Sequence, residues 1–410
     1  MSVTDVLTAL NKGHKRDIAV VGLRDNTVKR IPFTSPRLNY MTYGGIPQGR
    51  ISMFVGRESS GKTTTVLDIV KNAQKLYKKE WEDEVKELKS LKKIPKEKAE
   101  RLAFLEENGP KKIYYFDAEN TLDADWAECI GVDINSPDLI HVRLLGDTAE
   151  EYLTKVNIAA SKGGESTGMI IIDSIAALVS EQIFGESLEN KKMGGTAAVN
   201  AQWLRMFNQY ISDYGITAIV VNQVIENIKN PYADFDIPGG NALKHYASTT
   251  LVFKKEEFID SQGGSLGKQA DSPYGNLIKV YVQKTKTFKP DRRINYYTLS
   301  YDYGIDVIMD VLSLAVEYGC IKLNGGGYYE FLNPETLEPC TDSSGKEFKI
   351  RGKANVLDYL RENPIVLRPY YEYISKKALE KNADVFRVRE AMDGILIRYQ
   401  DTEVAENEAN

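Results

Sequence analysis

The chain has 410 residues, 42% hydrophobic and 27% charged, with a formal net charge of −5 at pH 7, three cysteines and three histidines. That length can bury a full α/β core in two or three domains, and the negative balance excludes coating DNA by bulk positive charge. Cys129, Cys320 and Cys340 are too few and too scattered for a disulfide framework or a zinc site.

No apolar run approaches the ~20 residues of a membrane span, and Met1-Ser2-Val3-Thr4-Asp5 lacks the basic and apolar regions of a signal peptide, so a cytoplasmic protein with no membrane partner is expected. Residues 1–45 begin with a short amphipathic helix candidate, Val3 to Leu10, too short to be stable alone and so expected to dock on its own core or on a neighbouring copy. The turn-rich segment Gly44 to Arg50 leads into the apolar strand Ile51 to Val55. There follows Gly56-Arg57-Glu58-Ser59-Ser60-Gly61-Lys62-Thr63, which fits the phosphate-loop pattern G-x-x-x-x-G-K-[ST], and then a helix over Lys62 to Leu76. Gly56 and Gly61 tolerate the tight backbone angles and leave room for a phosphate among the loop N–H groups. Lys62 would reach the β- and γ-phosphates, and the Thr63 hydroxyl would hold Mg²⁺.

From Lys75 to Lys112 the chain is charged, with 12 Lys or Arg against 9 Asp or Glu. Trp81, Val85 and Leu88, then Ala99, Leu102 and Leu105 after Pro95, keep helical spacing, which predicts an inserted helical hairpin. It could be a solvated decoration with one apolar seam, or a docking surface for a partner or nucleic acid. Strand and helix then alternate as in a parallel sheet: strands over Ile113 to Phe116, Leu139 to Val142, Met169 to Ile172 and Thr217 to Val221, and helices over Asp123 to Cys129, Thr148 to Ser161 and Thr196 to Tyr214. Further strands over Thr249 to Phe253, Leu277 to Val282 and Ile294 to Leu299 complete the sheet. A helix over Val307 to Tyr318 and a hairpin at Gly325-Gly326-Gly327 close a core spanning 46–335. Residues 336–400 suit a small helical or mixed C-terminal domain, and 401–410 an acidic disordered tail.

Asp173 ends the most apolar strand, where an open α/β sheet places its ligands, and is a candidate for the Mg²⁺ shell as a Walker B carboxylate. Glu119 also ends a strand and could activate water for phosphoryl transfer, while capping the helix near Asp123 is the simpler use of the local acidic residues. Asn222-Gln223 could report the γ-phosphate or merely bond the next loop. Lys284 and Lys286 point the same way if extended, and could neutralise transition-state charge or simply be solvated.

Several motifs occur in one order: Gly56 through Thr64, Phe116-Asp117-Ala118-Glu119, Ile172-Asp173-Ser174-Ile175-Ala176-Ala177-Leu178, Asn222-Gln223, Gly239-Gly240-Asn241-Ala242-Leu243-Lys244 and, later, Gly352-Lys353-Ala354-Asn355 with Tyr359 to Pro364. From about Gly44 onward the chain resembles the RecA-family recombinases, including the bacteriophage UvsX-like type. The resemblance implies a RecA-type P-loop ATPase core with a mostly parallel sheet, a short N-terminal oligomerisation helix, the inserted hairpin and a small C-terminal domain. It implies ATP-dependent filaments on single-stranded DNA that pair it with homologous double-stranded DNA, with single-strand-binding and loader proteins as further partners. ATP contacts would fall on Gly56, Glu58, Ser59, Ser60, Gly61, Lys62, Thr63 and Thr64, with Asp123 and Trp126 at the adenine and Mg²⁺ on Thr63 and Asp173. Catalysis would use Glu119, Lys62 and Gln223, with Lys284 and Lys286 acting in trans.

The family's two DNA loops map onto about 181–193 and 224–238, and Met193, Arg205, Gly239 and Gly240 are the DNA positions carried over. Neither loop is basic: Glu181, Glu186 and Glu189 face Lys191 and Lys192 in the first, and Glu226, Asp234 and Asp236 face Lys229 in the second. Ala198 and Ile225 stand where the bacterial proteins place arginines, His245 replaces an aromatic at a subunit contact, and the 75–112 insertion has no bacterial counterpart. A ring helicase on the same core, or a DNA-coating regulatory filament, are the competing readings.

Overall fold

The computed structural model describes residues 2–12, 19, 28–184, 195–224, 237–267, 269–342 and 344–379. A ten-stranded sheet organises them, in the spatial order Gly304–Ile305, Ile294–Ser300, Gly275–Thr285, Thr249–Ile259, Ile51–Gly56, Thr217–Gln223, Thr167–Asp173, Lys112–Asp117, Leu139–Arg143, with Ser265–Leu266 paired to Thr249–Ile259. From Thr249–Ile259 to Leu139–Arg143 neighbours run parallel. The strands at 275–285 and 294–300 are antiparallel, so the sheet is mostly parallel, as the resemblance implies. The linker 286–293 is too short for the crossover a parallel return requires, and 260–274 holds the short strand Ser265–Leu266, paired to Thr249–Ile259, in place of a helix.

Period-two alternation sorts the central strands into two apolar layers. Phe54, Met169 and Ile171 pack with Val66, Ile69 and Val70 of the phosphate-loop helix. Met53, Val55, Ile170 and Ile172 face Tyr152, Val156, Leu204 and Phe207, from the helices Ala149–Gly163 and Gly195–Tyr214. Burial on both faces explains why these strands read as unbroken apolar runs.

The helix that starts at Lys62 does not end near Leu76. It continues for 28 residues to Lys89, because the charged stretch is made of good helix formers with no Gly or Pro before Ser90. The hairpin's second helix, Lys96–Asn108, starts after Pro95 and stops at Gly109, whose φ is +67°. Trp81 Nε1 donates to Leu105 O at 2.8 Å, and Arg101 forks onto Glu84 at 2.7 and 3.1 Å. These bonds and the buried Leu88 and Leu105 clamp the two helices together.

A second apolar cluster joins the helices Val307–Glu317, Lys353–Glu362 and Arg368–Leu379 to the small antiparallel sheet Ile321–Leu323, Tyr328–Phe331, Lys349–Arg351. The Gly-rich turn lies between its first two strands, where Asn324 and Tyr328 close the hairpin. The N-terminal helix Val3–Asn11 has no buried residue. No helix among the described residues is long and apolar enough to cross a membrane. The acidic tail and the end of the expected C-terminal domain lie outside the described residues.

Where the two clusters meet, Asp310 is buried and accepts a hydrogen bond from Ser35 Oγ, and burial pushes its carboxyl up to about 7. A carboxyl raised in the folded state contributes stability that is full at acid pH and is lost as pH rises through about 7. Denaturant melts are therefore expected to show stability falling by about 4 kcal/mol from about pH 4 to about pH 7, and Asp310→Asn to remove that fall.

Candidate functional site

The parallel register brings the site together. Gly56 pairs with Gln223 on one side and Phe253 on the other, and Asp117 pairs with Asp173, so the phosphate loop and the strand-end polar residues share one edge of the sheet. A Cβ on Gly56 would lie 2.5 Å from Phe253 O and 2.5 Å from Ser60 Oγ. Gly61 has φ +83° and begins the helix, while Ser59 also takes a positive φ of 55°. Lys62 is buried, and its Nζ donates to Gly56 O at 2.9 Å and Arg57 O at 2.7 Å. Burial lowers its pKa, and the carboxylates of Asp173, Glu119 and Glu58 oppose that shift. The ammonium is thus held inside the loop by carbonyls that a phosphate oxygen can outcompete.

Thr63 Oγ1 donates to Asp173 Oδ2 at 2.9 Å, and Tyr115 OH donates to the same oxygen at 2.8 Å. Burial raises the Asp173 carboxyl pKa, and those two hydrogen bonds oppose it. Glu119 is exposed at the next strand end and accepts from Ser174 Oγ and, at 3.3 Å, from Gln223 Nε2. The candidate base and the candidate γ-phosphate reporter therefore touch. Asp117, by contrast, is consumed locally: it accepts from the N–H groups of Thr121 and Leu122 and pairs with His141.

Asp123 caps the helix Ala124–Ile130 by accepting from Trp126 N–H at 2.9 Å. Trp126 packs half-buried against the phosphate-loop layer, and Thr64 and Ile130 of the two helices both face Gly304. Lys284 and Lys286 sit elsewhere. Lys284 pairs in register with Thr250, which pairs with Met53, three residues before Gly56. Lys284 Nζ donates to Lys244 O and to His245 O at 3.0 Å, and Lys286 Nζ to His245 O at 2.8 Å. Burial and the neighbouring Lys286 lower the Lys284 pKa. Neither lysine contacts this chain's own phosphate loop.

Of the DNA positions, Met193 lies outside the described residues, as does most of both loops. Arg205 is exposed on the helix Gly195–Tyr214. Gly239 and Gly240 have φ +94° and +85°, and a Cβ on Gly240 would come within 3.0 Å of Ala197 Cβ. Asn222 Nδ2 donates to Pro238 O at 2.8 Å, bonding the next loop as one of its two sequence readings had it, and Asn200, which the sequence did not single out, donates from Nδ2 to Gly239 O at 3.3 Å. Tyr115 and Ser174 were missed for the same reason, since only the strand register shows which side chains they meet.

A family model described as the RecA N-terminal domain matches residues 102–306. Protein RecA of Thermus aquaticus is 30% identical over 339 residues, covering 82% of this chain and 81% of the relative. The chain belongs to the RecA family. Protein RecA of Acholeplasma laidlawii strain PG-8A is 29% identical over 345 residues, 84% of this chain and 86% of the relative. For Protein RecA of Staphylococcus epidermidis strain RP62A the figures are 28% over 368 residues, 88% and 86%. As a RecA-family protein the chain is an ATP-dependent DNA recombinase of recombination and repair, with a DNA-dependent ATPase on an α/β core. The matched interval begins inside the second hairpin helix, so the phosphate loop lies on the far side of the insertion from it.

Mg²⁺ fits this RecA site. Thr63 and the buried Asp173 present hard oxygens 2.9 Å apart. No cluster of three or more His, Cys, Asp or Glu exists among the described residues. A cation here would complete its shell from phosphate and water, as Mg²⁺ prefers.

Proposed function

We propose that this protein polymerises on single-stranded DNA, pairs it with homologous duplex in the cytoplasm, and hydrolyses ATP at sites completed by the neighbouring subunit. The Glu119–Gln223 contact carries the reading: one hydrogen bond joins the group suited to activate water to the end of the strand that leads into a DNA loop. Lys62 would grip the β- and γ-phosphates, with Thr63 and Asp173 holding Mg²⁺, which neutralises phosphate charge when bound. Asp123 and Trp126 would face the adenine. With the γ-phosphate present, Gln223 would leave Glu119 for it and shift the loop towards its DNA-binding form. Since Lys284 and Lys286 stand clear of their own loop, they would serve the next subunit's phosphates. Single-strand-binding and loader proteins would assist assembly.

The test is joint-molecule formation between single-stranded DNA and homologous duplex, with ATP and with ADP. ATP-dependent filaments and joint molecules are expected. Coated DNA without joint molecules would instead favour a regulatory filament, and unwinding a helicase.

Tyr115 gives an independent check on the metal role. Tyr115→Phe removes one of the two hydrogen bonds holding Asp173 Oδ2, and is expected to raise the Mg²⁺ concentration for half-maximal ATPase about 10-fold, as outer partners of metal ligands commonly do. A Mg²⁺ titration of the variant measures it.

A further inference from the structure

Between Lys86 and Lys98 stand six lysines, Lys86, Lys89, Lys92, Lys93, Lys96 and Lys98, against two glutamates, Glu87 and Glu97: a local charge of 6 − 2 = +4 in a chain of net charge −5. All six lysines are exposed. The hairpin's acidic residues concentrate nearer its base, where they pair: Glu84 takes Arg101, which also reaches Glu165 outside the hairpin, and Glu106 takes Lys89 at 2.7 Å. Lys96 makes a long 3.8 Å contact to Glu100, and Lys86, Lys92, Lys93 and Lys98 make no ion pair among the described residues. Acid and base are thus segregated along a stiff arm, leaving its end positive.

The arm also has a definite place. The helix Lys62–Lys89 is about 40 Å long at about 1.5 Å per residue, while the strand it folds back along, Ile51–Gly56, spans only about 20 Å. Its end therefore projects past the sheet edge opposite the phosphate loop, away from the loops that follow Asp173 and Gln223.

We infer that the tip of the inserted hairpin is a second nucleic-acid surface, which holds the phosphate backbone of double-stranded DNA. Its chemistry selects that ligand. Lysines are compact point charges that position phosphates without reading bases. No aromatic residue lies between Trp81 and Phe104, so the tip has no platform for stacking unpaired bases, on which single-strand binders rely. None of the protein's exposed large hydrophobic residues lies between 86 and 98, so the tip also lacks the apolar anchor of a protein interface. Neither DNA loop is basic, and the tip supplies the phosphate neutralisation that they lack. The inference takes DNA as the partner from the function above and adds a surface outside that site.

The experiment measures binding of the full chain to labelled duplex DNA by anisotropy across a salt series. It compares wild type, a tip variant carrying Lys86→Gln, Lys92→Gln, Lys93→Gln and Lys98→Gln, and a charge-matched control carrying Lys162→Gln, Lys255→Gln, Lys322→Gln and Lys346→Gln. Each lost phosphate contact removes about 0.9 from the slope of log K against log salt, so the tip variant should lose up to about 3.6 in slope and bind duplex at least about 10-fold more weakly at low salt. The control should keep the wild-type slope. Single-strand-stimulated ATPase of the tip variant should stay within about two-fold of wild type, which shows a folded, assembling protein. An unchanged slope, or equal losses in the control, would overturn the inference. So would tip-dependent binding of labelled polyglutamate with duplex binding intact, which would make the tip a dock for acidic proteins. Absence of single-strand-stimulated ATPase in wild type would count against the function itself, a separate outcome.

Discussion

Glu119→Gln is expected to lower ATP turnover about 10²- to 10⁴-fold while leaving ATP-dependent binding to single-stranded DNA in place. The side chain is exposed at the sheet edge, separated from the phosphate loop by the strands that end at Gln223 and Asp173, and among the described residues its polar contacts are from Ser174 Oγ and Gln223 Nε2. Glutamine keeps the volume and can still accept from both, so the fold and the Gln223 contact survive. It cannot take the proton of an attacking water, and loss of turnover without loss of assembly is the signature of a base. If instead Glu119 only braced Ser174, Gln would be tolerated and turnover would change little. Single-turnover hydrolysis beside filament binding separates the two.

Lys284→Ala or Lys286→Ala is expected to remove DNA-stimulated hydrolysis by about 10³-fold, the scale of a charge supplied in trans to a phosphoryl transfer. Both ammonium groups lie at the C-terminal carbonyls of the helix Asn241–Tyr246, beside His245, and bond there rather than to their own phosphate loop. Those carbonyl bonds are weaker partners than a triphosphate, and the burial and, after it, the repulsion from Lys286 that lower the Lys284 pKa are offset by an anion arriving from outside the protomer. A structural role, tying the helix to the strand Gly275–Thr285, predicts a loss of stability. A trans role predicts an unchanged melting temperature with the ATPase gone.

How much of this was legible in the sequence depended on the range of the interaction. The phosphate loop, the strand before it and the apolar run ending at Asp173 are local patterns, and the structure places them together as expected. The long helix through Lys89 was hidden because hydrophobic spacing fades where one face turns to solvent, although helix-forming residues continue. The antiparallel strands were hidden because strand direction depends on linker length and pairing rather than on apolar content. Tyr115 on Asp173 and Ser174 on Glu119 join residues 58 and 55 positions apart, and no spacing rule reaches that far.

The most direct test of a site shared between subunits is to mix the Glu119→Gln and Lys284→Ala proteins in equal amounts on single-stranded DNA and measure ATP hydrolysis. In a head-to-tail assembly about one interface in four would pair an intact Glu119 with an intact Lys284 from the neighbour, so the mixture should recover about a quarter of wild-type activity although each variant alone is inactive. A mixture as inactive as its components, with both proteins co-assembled on the DNA, would contradict the account.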